Sequence, residues 1–395
     1  MLKFSLMMRV GIYIQVPFCQ TKCTYCNFHS GVVSSSRFAP YVSAVCTEIE
    51  KHRDFYANAG VQLPATFADA VVDTVYFGGG TPSLLDPVHL QRMLDAIRRR
   101  FASESAEVTL EADPETVEAA KAAAWVRAGI NRVSFGVQSF SDAELKATGR
   151  MHRRADVYRA VSILRDAGIR NISFDLIAGL PGQTRESWRT SLDELAALSP
   201  EHVSIYLLEV DDGSRLGAEV LRGGAKYGAN TIPSDDDMAE FYESACVLLQ
   251  RVGYRHYEIS NWGKPGFESR HNLKYWGREP YLGFGAGAHS FCGTYRWANA
   301  HDAAAYVSAI ESGRLPAEQL EAVTPESALE EELFLGLRQL DGIDVGRIER
   351  QYGVTVAPRF DRLMSAGMVE RNGSVVRLAL NKLSVANEVF VELMR

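Results

Sequence analysis

The stretch VGIYIQVPFCQTKCTYC, from Val10 to Cys26, decides how the rest of the chain is read. Val10 to Val16 is rich in β-branched and aromatic residues and reads as a strand. Directly beyond it, Cys19, Cys23 and Cys26 stand in a C-x3-C-x2-C pattern. Thiolates are the ligands that iron–sulfur clusters require, and three of them can hold three corners of a cubane while leaving one iron open. The competing reading is a Cys3His zinc site completed by His29. Such a site accounts for none of the motifs further along.

Five more short apolar runs follow, beginning near Asp73, Glu107, Arg132, Asn171 and His202, and helical patterns lie between them at His89 to Phe101, Thr116 to Ala128, Ala155 to Ala167 and Arg185 to Leu198. Six βα units of this kind imply a parallel sheet whose strands are buried on both faces, as in the nearly continuous apolar run Ile172 to Ile177. The same alternation would build either an open or partial barrel or a doubly wound sheet. Residues 1–212 are assigned to this core. Residues 213–323 hold a Gly-rich linker (Asp212 to Pro233), a helix (Asp235 to Arg251) and an aromatic-rich region. Residues 324–395 read helix, helix, helix, strand, an Asn372-Gly373 turn, strand and helix, a winged-helix-like unit.

Composition sets the limits. The chain has 395 residues, 46% hydrophobic and 23% charged, with a net charge of −7, which places it among soluble globular proteins and against a nucleic-acid binder. Thr324 to Arg395 carries 9 basic against 11 acidic residues, the wrong balance for a wing that must neutralise phosphates. That unit is read as structural or partner-docking. Six cysteines are too few for a disulfide scaffold, so a reducing, cytoplasmic compartment is expected. Arg9 interrupts the apolar N-terminal run, which argues against a signal peptide, and no stretch reaches the length of a spanning helix. Any membrane contact would be peripheral.

The polar residues of the core fall in a pattern. Gly78-Gly79-Gly80-Thr81-Pro82 follows the second strand, Glu111 ends the third, Gln138 ends the fourth and Asp175 lies in the fifth. Glycines let a backbone approach a ligand closely, and no Lys-Ser/Thr pair follows to make a phosphate loop. Taken singly, each polar residue could be a satisfied core group. The cysteines, the glycines, Glu111 and Gln138 all fall at the carboxyl ends of successive strands, where barrel active sites are built. One ligand reached from several strands explains this, and it favours the barrel. S-adenosylmethionine fits: its amino and carboxylate groups can chelate the open iron, and Arg150 can pair with its carboxylate.

With these residues in view the chain resembles the radical-SAM superfamily, in the branch that holds oxygen-independent coproporphyrinogen III oxidase and its paralogues, the HemW heme chaperones. IYIQVPFCQTKCTYC, YFGGGTPS, TLEADP, FGVQSF, TGRMH and FDLIAGLPGQT stand in that family's order and cover nearly the whole chain. The resemblance implies a partial (β/α)6 TIM-like barrel carrying a 4Fe-4S cluster on Cys19, Cys23 and Cys26. It also implies S-adenosylmethionine held by Gly79, Gly80, Thr81, Glu111, Gln138, Arg150 and Asp175, with Tyr25 near the adenine and Tyr13 in the same pocket. Two departures separate the chain from the oxidase: Phe28 stands where the oxidase has a further cysteine, and only 18 residues precede Cys19.

In their place His271-Asn272-Leu273-Lys274-Tyr275-Trp276 resembles the HNxxYW signature of the chaperone branch. An imidazole can ligate iron, and Tyr and Trp faces can pack on a porphyrin, so His271, Tyr275 and Trp276 are expected to meet heme, with His289 a second candidate ligand. The alternative is a structural His-aromatic cluster. The function implied is heme delivery to acceptor proteins such as respiratory cytochromes, with a homodimer admitted. The competing function is the oxidase reaction, in which S-adenosylmethionine is cleaved and coproporphyrinogen propionates are oxidatively decarboxylated. Coproporphyrinogen dehydrogenation is not expected.

Overall fold

The computed structural model describes residues 8–61, 63–64, 67 and 70–394; the expectation for the N-terminal run falls largely on residues 1–7, outside them. Strands β1 (Arg9–Val16), β2 (Val71–Gly79), β3 (Ala102–Ala112), β4 (Arg132–Gln138), β5 (Asn171–Ala178) and β6 (His202–Leu207) pair in parallel in exactly their chain order. A doubly wound sheet would reverse its order at a switch point. Here there is no reversal, so the sheet is the open barrel.

The crossovers are α1 (Phe38–Asn58), α2 (Pro87–Arg100), α3 (Ala119–Ala128), α4 (Asp142–Ala147) with α5 (Arg154–Ala167), and α6 (Arg185–Leu198). Their ends follow local chemistry. Asp86 caps α2 ahead of Pro87, Thr184 and Ser187 form a capping box on α6, and Gly129 and Gly168 take left-handed conformations where α3 and α5 stop.

The sheet does not stop at β6. After α7 (Arg215–Leu221) and α8 (Asp235–Arg251), β7 (Arg255–Glu258) and β8 (Asn261–Gly263) add antiparallel strands to its edge. Following α9 (Arg270–Trp276), β9 (Tyr281–Phe284) pairs in parallel with β1 at the other edge. The antiparallel β10 (His289–Phe291), β11 (Tyr295–Asn299) and, past α10 (Ala303–Glu311), β12 (Ala317–Ala322) complete twelve strands among the described residues. The passage expected as a linker is instead partly helical, and it grips the cluster loop: Leu216 N donates to Thr24 O at 2.8 Å and Asn27 Nδ2 to Asp211 Oδ2 at 3.0 Å.

The C-terminal unit has the expected helices and hairpin in order, with one further strand, β13, after the first helix: α11 (Pro325–Arg338), β13 (Ile343–Asp344), α12 (Val345–Tyr352), α13 (Asp361–Ser365), β14 (Val369–Asn372), β15 (Val375–Leu378) and α14 (Ala386–Leu393). The short β13 joins the β14–β15 hairpin in a three-stranded wing. One apolar core is continuous from the barrel into this unit. Among the described residues no helix is long and apolar enough to cross a membrane.

Candidate functional site

A cavity of about 620 Å3 opens where β2 to β6 end, and the loop after β1 walls it with Cys19, Cys23 and Cys26. That loop is pinned at its base, where Cys19 N donates to Gly31 O and Gly31 N to Pro17 O, and at its tip, where Thr24 N donates to Thr148 O. Burial raises the thiol pKa of Cys19 and of Cys26, so a bound cation is what would draw them into the thiolate form. His29, the fourth ligand of the zinc alternative, stacks on His301 with ring centroids 4.0 Å apart. All six cysteines are free thiols.

The glycines are dictated by close approach. Gly79 sits at φ +107°, and a Cβ there would lie 2.3 Å from Gln15 Nε2; a Cβ on Gly80 would lie 2.5 Å from the carbonyl of Phe18. Gly80 is therefore glycine because the cluster loop rests on it, as well as because it faces the cavity. Gln138 ends β4 at φ +64°, a left-handed conformation that is uncommon away from glycine and that gathers at functional sites.

The floor is acidic. Glu111 accepts from Tyr76 OH at 3.0 Å and Gly79 N at 3.1 Å, and burial followed by the charge of Asp175 pushes its pKa up to about 7. Burial likewise raises Asp175, against hydrogen bonds from Ser204 and Ser134 and the charge of Arg132. Burial disfavours the charged form of both carboxyls, and a cation placed beside them would favour it. Arg150 is not free to face a ligand with its whole fork. Its Nη2 meets Asp113 and donates to Gly136 O at 2.7 Å, and its Nη1 lies 3.6 Å from Cys23 Sγ. Its Nε is buried without a partner.

The sequence-derived residues Tyr25, Gly79, Gly80, Thr81, Glu111, Gln138, Arg150 and Asp175 all line this cavity. Tyr13 does not; it lies behind Gly78, donates to Gln15 Oε1 at 2.7 Å and stacks on Tyr76. Residues that sequence reasoning missed also line it: Asp113 and Glu115 two and four places after Glu111, Tyr206 on β6, Tyr242 on α8, and Leu383, Ser384, Ala386 and Asn387 at and just before the start of α14. Asp113 stood within a quoted motif, but nothing local marks the others.

His271, Tyr275 and Trp276 are gathered elsewhere. Helix α9 follows the six βα units in the chain and packs against the opposite ends of β1 and β2. His271 is 1% exposed, with Nδ1 2.8 Å from Thr74 Oγ1 and Nε2 2.9 Å from Tyr275 OH. Neither ring nitrogen is open to an iron in this conformation. Trp276 lies under the guanidinium of Arg338.

An open parallel barrel with a three-thiol loop over its first strand, a glycine cradle and an acidic floor has the architecture of a radical-SAM protein, and it fits a cluster beside a cationic ligand. The Radical SAM superfamily model matches residues 13–195, and the HemN C-terminal domain model matches 323–381. Heme chaperone HemW of Bacillus subtilis (strain 168) is 34% identical over 384 residues, 96% of this chain and 97% of that one. Heme chaperone HemW of Escherichia coli (strain K12) is 35% identical over 282 residues, 71% of this chain and 69% of that one. The chain belongs to the HemW family. Among solved structures, coproporphyrinogen III oxidase (HemN) of Escherichia coli, a radical SAM enzyme, superposes with a TM-score of 0.83 at 21% identity, covering 98% of this chain and 90% of that one. That likeness is one of fold. Radical-SAM membership implies a 4Fe-4S cluster and S-adenosylmethionine.

Proposed function

We propose that this protein is a heme chaperone that binds heme and hands it to acceptor proteins such as respiratory cytochromes, in a reducing compartment. The observation that carries the reading is the 34% identity to a heme chaperone over 96% of this chain and 97% of that one. Cys19, Cys23 and Cys26 would hold the cluster, and Gly79, Gly80, Thr81, Glu111, Gln138, Arg150 and Asp175 would hold S-adenosylmethionine, with Tyr25 against the adenine. When bound, the pair supplies one-electron chemistry at the methionyl sulfur. The cavity of about 620 Å3 lies within the range of small-ligand and cofactor sites, about 300 to 1,000 Å3. Contact with His271, Tyr275 and Trp276, the site that the HNxxYW resemblance suggests, would need α9 to leave its seat.

Anaerobically reconstituted protein should be assayed side by side for heme titration and for coproporphyrinogen III turnover with reductant and S-adenosylmethionine. Stoichiometric heme binding without turnover is expected. Multiple turnovers would overturn the chaperone reading in favour of the oxidase.

A further inference from the structure

Outside the cofactor cavity, His29 and His301 pack ring against ring at the carboxyl edge of the sheet, and His289 lies close enough to feel the charge of both. His29 leaves the cluster loop, His289 opens β10 and His301 follows β11. The His29 and His301 rings are 4.0 Å apart with an interplanar angle of 33°. His289 and His29 are exposed. The buried Nδ1 of His301 has no hydrogen-bond partner, and Gly287, at φ +72°, leaves it room, since a Cβ there would lie 3.1 Å away. Each imidazole senses its neighbours: after burial, His301 is the next cause lowering the pKa of both His29 and His289.

The cluster of rings has an apolar apron. Phe28, beside His29, is 66% exposed and also lines the mouth of the cofactor cavity, and Val32 on the same loop is 61% exposed. Large apolar side chains left in water on one short loop are the kind of surface that marks a binding site. Imidazoles beside an exposed aromatic and aliphatic surface match a flat apolar macrocycle with a central iron. The buried imidazole of α9 lacks that access.

Resting on the chaperone reading, we infer that heme docks on the face formed by Phe28, His29, Val32, His289 and His301, with His29 as an axial ligand and His301 as the ring that positions it. The cargo then sits at the lip of the cluster cavity, and α9 keeps its seat.

Heme titration of the reconstituted full chain tests this, with the Soret band and the rate of heme transfer to apomyoglobin as readouts and cluster absorbance as the check on folding. His29→Ala is expected to shift the Soret band and to speed heme loss about tenfold or more, the loss of roughly one coordinate or charge-assisted bond, while the cluster is retained. His301→Ala should do the same more weakly, and His301→Phe, which keeps a stacked ring, should restore the wild-type band. Phe28→Ser should speed release without moving the band. If the triple variant His29→Ala/His289→Ala/His301→Ala keeps the wild-type band and release rate, the inference is overturned, and it is overturned in favour of α9 if His271→Gln, with wild-type cluster absorbance and unfolding midpoint, changes them instead. Failure of the wild-type chain to bind heme would instead remove the chaperone reading.

Discussion

His271 lies against Tyr76 with ring centroids 5.2 Å apart and planes 28° apart, and Tyr76 donates its hydroxyl to Glu111 on the cavity floor. One ring therefore joins the HNLKYW helix to the cofactor site. Truncating His271 to Ala removes the partner of Thr74 Oγ1 and of Tyr275 OH and leaves a void under Tyr76. A stranded buried polar group costs about 1 to 3 kcal/mol, and the cavity adds to it. The expected result is a loss of roughly 3 kcal/mol or more in unfolding free energy, with weaker S-adenosylmethionine binding. Denaturant unfolding and cofactor titration measure the two effects. Wild-type values for both would mean that α9 is not integral to the barrel.

The same imidazole makes the fold sensitive to acid. Burial first, then the charges of Lys274 and Arg132, lower the pKa of His271 to about 3, against 6.5 in an exposed imidazole. The unfolded chain therefore takes up the proton first. This contribution is complete above about pH 6.5 and is lost as pH falls from there toward 3. His271→Gln should flatten the dependence of stability on pH below 6.5 by up to about one proton. Urea midpoints across pH 4 to 7 give the slopes, and parallel slopes for the two chains would refute the assignment.

Glu111 works in the opposite sense. Its carboxyl is held up at about 7 by burial and by Asp175, so the protonated form is favoured when no cation lies beside it, and its stabilisation is lost as pH rises through 7. A cationic ligand on the floor favours the carboxylate and should expel the proton. S-adenosylmethionine binding near pH 7 is thus expected to release protons and to tighten as pH rises from 6 to 8. Glu111→Gln should abolish the release and cost about tenfold or more in affinity. Calorimetry in buffers of different ionisation enthalpy counts the protons; zero release in the wild-type chain would place the cation elsewhere.

Reconstituted chain is expected to hold about four irons and four sulfides on its three thiolates. Alanine at Cys19, Cys23 or Cys26 should abolish the cluster absorbance, whereas His29→Ala should keep it, since the His29 ring stacks on His301. Zinc retained in stoichiometric amount and lost with His29→Ala would restore the Cys3His alternative.

What was legible in the sequence is what sits on the apolar rhythm of the six parallel strands. Gly79, Glu111, Gln138 and Asp175 could be placed because the strand that carries each is visible, and Cys19 because it follows the first strand directly; position along a strand fixes which end of a barrel a residue faces. Helix α1 escaped because Arg37 gives no side-chain cap and Pro40 stands in its first turn, although Gly60, at φ +74°, follows its C-cap. Strands β7 to β12 run only three to six residues, too short to show a period. The burial of HNLKYW was illegible for another reason: His271 is held by Thr74, 197 positions away, and no local pattern encodes such a contact. Leu383, Ser384, Ala386 and Asn387 reach the cavity in the same way.

The joint between barrel and C-terminal unit gives the last prediction. Glu258 is 0% exposed at the end of β7 and accepts from Ser260 N at 2.9 Å, from Asn261 Nδ2 and from Arg338 Nη2 at 3.3 Å. Burial raises its pKa, and Arg338 opposes the rise most. Arg338 is thus the counter-charge of a buried carboxylate, and its guanidinium also lies 4.3 Å above the Trp276 ring while the residue lines the cavity. Removing one partner of such a pair costs about 3 to 5 kcal/mol, because the other is left charged and dry, whereas replacing both is far cheaper. Arg338→Met is therefore expected to lose most of that range, Glu258→Gln less because its amide keeps the backbone contacts, and the double variant less than the sum of the two. The carboxylate left in Arg338→Met must also be protonated for burial, so that variant should recover stability as pH is lowered from 8 to 5, in the direction opposite to the His271 effect. Thermal melts of the four chains at both pH values decide it. Additive losses with no recovery on acidification would mean that Glu258 and Arg338 are held by their other partners and that the joint rests on apolar packing alone.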